Sequence, residues 1–133
     1  VLFRSGQIAR QRGQATEKEL PDLLKRSAQI IAYMHSIGFV HGDLKWSSIL
    51  KDPSDPKEVF LSDLEKVERT TSFFDHGRDL GRFVVSAYEY GMDEDVANWL
   101  VDCYFFAAGY MPEEFDKGLI RYLKKNKQKY RKP

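Results

Sequence analysis

Apolar residues recur every three or four positions through Leu20, Leu23, Leu24, Ser27, Ile30, Ile31 and Met34, the spacing that lines one face of an α-helix. Ahead of this stripe, Thr16-Glu17-Lys18-Glu19 has capping-box form, the threonine hydroxyl taking a backbone N–H that Glu19 exposes, and Gly38 supplies a stop. The pattern predicts a helix over 16–36. The period then shortens. Phe39-Val40, Ile49-Leu50 and Val59 to Leu61 read as extended pieces, with Asp52-Pro53-Ser54-Asp55-Pro56 as a turn between the last two, which makes a small hairpin beside the helix.

A polar loop is expected over 68–77, followed by helical spacing at Leu80, Phe83, Val84, Ala87 and Tyr88 as far as Gly91. Asp93 is placed to cap a third helix with Val96, Trp99, Leu100, Cys103 and Phe106 turned inward. Pro112, Phe115, Leu119, Ile120 and Leu123 mark a fourth. The fold class is α+β and mostly helical. Residues 1–15 show no clear period and read as a loose lead-in, 16–125 as the folded unit, and 126–133 as a basic tail.

Composition narrows the picture. A chain of 133 residues, 42% hydrophobic and 14% aromatic, can enclose one modest core. Its 21 basic and 20 acidic residues nearly balance, but seven of the basic ones and no acid fall between Arg121 and Pro133, so an acidic body carries a basic end. That end has only Tyr122 and Tyr130 among its charges, too little aromatic interleaving for a nucleic-acid binder. The single cysteine, Cys103, excludes an internal disulfide and cannot anchor a multi-cysteine zinc site, and neither His35 nor His76 pairs with it at ligand spacing. No apolar run approaches the roughly 18 residues of a membrane span, and the start lacks the pattern of a secretory signal. A soluble chain is expected, and a start at Val1 reads as a piece of something longer.

The candidate chemistry lies in His41-Gly42-Asp43-Leu44-Lys45-Trp46-Ser47-Ser48-Ile49-Leu50 and in Val59-Phe60-Leu61-Ser62-Asp63-Leu64-Glu65. Each holds an aspartate at a strand-to-loop junction, 20 residues apart. Alone, either motif is weak. Together with the preceding amphipathic helix and the hairpin, they resemble the catalytic loop and metal-binding loop of the protein-kinase-like superfamily. The resemblance implies a kinase C-terminal lobe with a small β-hairpin beside the catalytic loop, using ATP and Mg2+. It makes Asp43 the carboxylate that receives the acceptor's proton and Lys45 a cation near the transferred phosphoryl group. It makes Asp63 a magnesium ligand, with Ser48 where the family has a metal-binding Asn, and His41 a brace for the loop rather than a catalyst. Asp79, in Arg78-Asp79-Leu80-Gly81-Arg82, sits near the start of the second helix, where the dipole alone favours a carboxylate. The resemblance gives it the further task of holding catalytic-loop amides. His35 ends its helix, where the dipole favours it, and His76 falls in the polar loop.

Only 15 residues separate Asp63 from Asp79, with no Ala-Pro-Glu, so the segment that holds a peptide substrate in protein kinases has no counterpart. Gly42 and Trp46, where protein kinases have Arg and Pro, and Asp79-Leu80-Gly81-Arg82-Phe83 look like the bacterial lipopolysaccharide core kinases that phosphorylate Kdo or heptose. An inner-core sugar or other small-molecule acceptor is implied, at the cytoplasmic face of the inner membrane. The basic tail would there meet anionic lipid or sugar phosphates, or simply form a solvated helix end. Two departures stand against this. Ser48 replaces the Asn, and the 40 residues before His41 contain neither a Gly-rich phosphate loop nor a strand lysine, so these residues are not expected to turn over ATP alone. The alternative is a catalytically impaired pseudokinase or scaffold lobe.

Overall fold

A computed structural model describes residues 3–4, 19–52, 54–109 and 111–126. Helix α1 (Glu19–Ser36) is followed by strand β2 (Phe39–Val40), a 3-10 turn at Trp46–Ser48, the hairpin β3 (Ile49–Asp52) and β4 (Asp55–Leu61), a second 3-10 turn at Leu64–Lys66, and β5 (Glu68–Arg69). Helices α2 (Phe73–Glu89), α3 (Glu94–Ala108) and α4 (Glu113–Asn126) complete the order. Strand β1 (Phe3–Arg4) lies ahead of them and pairs antiparallel with β3, opposite Lys51 and Leu50, so the hairpin is the core of a three-stranded sheet. The loose lead-in therefore contains one short strand. Its remainder, the Thr16 half of the capping box, and the tail beyond Asn126 lie outside the described residues.

The apolar stripe of α1 is buried through Leu23, Leu24, Ala28, Ile31 and Met34, and meets Leu80, Phe83, Leu100, Tyr104 and Phe115 in one core. Trp46, Tyr104, Phe83 and Phe115 are its largest fully buried side chains, and burying a side chain of phenylalanine size contributes roughly 1.5–3 kcal/mol. Helices α2 and α4 cross so closely that a Cβ at Gly77 would strike the Phe115 carbonyl, and one at Gly118 the Phe74 carbonyl. Only glycine fits at either point.

Three expectations change. Helix α2 begins at Phe73, inside the expected polar loop, because Ser72 accepts a hydrogen bond from the Asp75 amide at 3.2 Å and caps it. His76 is consequently a buried helical residue. In α3, Trp99 and Phe106 point outward, 38% and 89% exposed, and Tyr104 takes the inward position. Leu100 is buried as expected and Val96 and Cys103 pack partly buried against the core, while Ala97 and Tyr104 supply the other fully buried positions. In α4, Ile120 is exposed while Phe115 and Leu119 are buried.

Candidate active site

Strands β2 and β5 pair antiparallel, Phe39 opposite Arg69 and Val40 opposite Glu68, and deliver the chain to His41 beneath the hairpin. From there the loop is fastened on its inner side. The His41 and Gly42 amides donate to the two carboxylate oxygens of Asp79, at 2.9 and 3.1 Å. The His41 side chain donates from Nε2 to the Ser62 carbonyl at 2.6 Å and accepts the Asp43 amide at Nδ1 at 3.2 Å. One imidazole thus ties the loop to the residue that precedes Asp63. Gly42 has φ +89°, and a Cβ there would strike the Lys66 carbonyl, so close approach and backbone conformation both demand glycine.

On the outer side, Asp43 meets Lys45 Nζ at 3.4 Å through one oxygen and Arg82 Nε at 3.5 Å through the other. Partial burial works to raise its pKa, but the charges of Lys45, Arg82 and Lys66, with the Lys45 hydrogen bond, hold the carboxyl below the usual range. It is therefore ionised at neutral pH, as a proton acceptor must be. Asp43 and Arg82 line a cavity of about 620 Å³ together with Gly42, Lys66, Arg78 and Tyr122. Arg82 comes from α2 and Tyr122 from α4, so the helix crossing brings both beside the loop. Neither the composition nor the motif spacing had singled out these two.

Asp63 stands at the end of β4 in a left-handed conformation, φ 58° and ψ 54°, which for a non-glycine residue costs about 1–2 kcal/mol. Its carboxylate is half-buried, with the Ser62 hydroxyl 3.5 Å away. Ser48 is fully buried, its hydroxyl 3.4 Å from the Lys45 amide and 3.5 Å from the Asp43 carbonyl, facing the loop backbone. Trp46 is buried against Phe83, ring centroids 5.8 Å apart, and does not line the cavity. Among the described residues no three His, Cys, Asp or Glu side chains cluster as a metal site.

Behind the loop lies a group that the sequence reading did not assemble. His35 lies in the last turn of α1, as expected, and is buried there: its Nε2 is 2.8 Å from Asp79 and its Nδ1 2.7 Å from the Tyr104 hydroxyl. His76 stacks on His35, ring centroids 4.7 Å apart and planes within 8°, and donates from Nε2 to the Thr70 carbonyl at 2.9 Å. The available signal was positional. His35 follows Ile31 by four residues, and Tyr104 follows Leu100 by four, so both continue buried stripes.

A helix whose Asp79 holds the His41 and Gly42 amides beside Asp43, a hairpin, and a second aspartate after the hairpin give the arrangement of a protein-kinase-like C-terminal lobe. The model of the lipopolysaccharide kinase (Kdo/WaaP) family matches residues 7–104, and the chain belongs to that family. A solved WaaP, in complex with acyl carrier protein, superposes with a TM-score of 0.73 at 19% identity, covering 99% of this chain and 58% of that one. A calcium/calmodulin-dependent protein kinase type 1 from Macrobrachium nipponense is 29% identical over 131 residues, 92% of this chain and 38% of that protein. The chain thus spans well under two thirds of either relative.

Proposed function

We propose that the protein of which these residues form the C-terminal lobe transfers a phosphoryl group from ATP to a sugar hydroxyl of the lipopolysaccharide inner core. The observation that carries this is Asp43. It is an ionised carboxylate at the edge of a cavity, on a loop whose amides are pinned from behind by Asp79.

In this reading the acceptor hydroxyl lies against Asp43, which takes its proton as the oxygen attacks. Lys45 and Arg82 flank the carboxylate and offset charge developing on the phosphoryl oxygens. Magnesium, when bound, would supply positive charge to offset that of the phosphate oxygens. Asp63 would be the hard oxygen donor to hold it, and Ser48 a weaker one, although its buried hydroxyl is turned to the loop backbone. The cationic end of the chain would face anionic lipid at the inner face of the inner membrane, and no helix among the described residues is long and apolar enough to cross it. An acyl carrier protein, found with the solved WaaP, is a second partner to supply in the assay.

The test is made in the intact protein. Asp43→Asn is expected to lower kcat by about 10²–10⁴ while leaving the thermal midpoint in place. Unchanged turnover would remove Asp43 from the mechanism. The scaffold reading rests on Ser48, and nucleotide titration of the intact protein beside its Ser48→Asn variant separates the two. Binding by neither form favours the scaffold.

A further inference from the structure

The described residues place four groups in one line that starts in the core and ends at the loop: the Tyr104 hydroxyl, the His35 imidazole, the Asp79 carboxylate and the His41 and Gly42 amides, at successive distances of 2.7, 2.8 and 2.9–3.1 Å. Donor and acceptor roles along it follow from chemistry. A carboxylate only accepts, so His35 Nε2 carries the proton that reaches Asp79. Burial lowers the His35 pKa against the opposing hydrogen bond and charge of Asp79, and the electrostatic effect of the neighbouring His76 lowers it further, so the neutral imidazole is favoured. A neutral imidazole protonated at Nε2 has a bare Nδ1, and Nδ1 therefore accepts from the Tyr104 O–H. Burial, then the Asp79 charge, raise the Tyr104 pKa, so the phenol keeps the proton it donates.

From this geometry we infer that Tyr104 and His35 are positioning residues for the catalytic loop: the phenol selects the His35 tautomer, and that tautomer orients the Asp79 carboxylate toward the two loop amides. Asp79 Oδ2 accepts from both His35 and the His41 amide, whereas Oδ1 takes the Gly42 amide. Turning the carboxylate would break one bond or the other, and the His35 proton holds it in the one rotamer that serves both. The groups packed on the imidazole are Asp79 and His76 from α2 and Tyr104 from α3. Protonating His35 would leave Nδ1 a donor facing another donor, and Tyr104 would have to rotate its hydroxyl away.

The consequence for phosphoryl transfer rests on the function proposed above, but the positioning itself can be read without ATP. The experiment is amide hydrogen exchange and histidine side-chain NMR on the 133-residue chain and on its Tyr104→Phe, His35→Gln and His35→Leu variants. Tyr104→Phe is expected to accelerate exchange at His41 and Gly42 about tenfold and to weaken the His35 Nε2–H signal, with core amides of α1 and α3 unchanged. Glutamine at 35 keeps a donor for Asp79 and is expected to restore most of the protection that leucine removes. If the leucine variant does not fold, the tyrosine variant still decides. Exchange unchanged at His41 and Gly42, or accelerated equally throughout the core, would overturn the inference. A phosphotransfer assay of Tyr104→Phe in the intact protein is expected to show kcat lowered severalfold at constant KM. A wild-type protein inactive in that assay would defeat the functional reading and leave the exchange result standing.

Discussion

Toward the core, the loop from His41 to Lys45 is held by hydrogen bonds of 2.6–3.1 Å to the buried Asp79 and the part-buried Ser62 carbonyl. Toward the cavity, Asp43 meets Lys45 and Arg82 at 3.4–3.5 Å, in side chains about a quarter to a third exposed. The difference separates two requirements of one loop. The backbone must be fixed, which short bonds in a low-dielectric interior accomplish. The carboxylate proposed to take a proton must remain accessible, and long, solvated contacts leave it free to engage a substrate.

Removing the inner anchor should have the largest effect. Asp79→Ala strips the acceptor from two loop amides and a buried imidazole, and is expected to cost about 3–5 kcal/mol in urea unfolding, against less than about 0.5 kcal/mol for Asp43→Asn. Equal losses would erase the contrast between the two sides. Next comes Gly42→Ala, where a left-handed backbone and the Lys66 carbonyl together are expected to cost about 1–3 kcal/mol. Gly38→Ala is its control, since Gly38 has φ +92° but open space around its Cβ position, and should lose only the backbone share, about 1 kcal/mol. Matching losses would show that close approach is not what fixes Gly42.

A smaller, pH-dependent effect separates the sides again. The folded-state pKa of His35 lies below its ordinary value, so the unfolded chain binds more protons below about pH 6.5. Its contribution to stability is therefore complete above that pH and declines as pH falls through it, levelling off below the folded value. Thermal midpoints measured from pH 8 to 5 should show this fall, and His35→Gln should flatten it. Smallest of all is the response to salt. Raising ionic strength tenfold should change stability by no more than about 0.5 kcal/mol through the outer ion pairs, because exposed pairs at 3.4–3.5 Å contribute little to begin with.

What the sequence made legible was what repeats locally. The α1 stripe and the hairpin at 49–61 follow from period and turn chemistry, and the two aspartate motifs, set beside them, carried the resemblance to the family's kinase-like lobe. What escaped depends on which helix faces which. His35 and His76 look unremarkable in sequence because their partners, Asp79, Tyr104 and Thr70, become neighbours only when α1, α2 and α3 pack. Part of the inward face of α3 escaped for a similar reason: Trp99 and Phe106 are exposed, whereas Tyr104 is buried with its hydroxyl 2.7 Å from His35 Nδ1, a partner that only helix packing brings near. Arg82 and Tyr122 likewise reach the cavity only through the α2–α4 crossing.

That crossing has a consequence for anyone dividing the chain. The family match ends at residue 104, short of α4. Yet the glycine contacts at 77 and 118 seat α4 directly on α2, Phe115 stacks on Tyr104 with ring centroids 5.2 Å apart, and Tyr122 lines the cavity beside Arg82. A chain cut after residue 109 would lose a wall of its own cleft and expose the tyrosine that faces His35. The last helix belongs to the minimal folding unit, and any boundary drawn for exchange between relatives or for recombinant expression must fall beyond it.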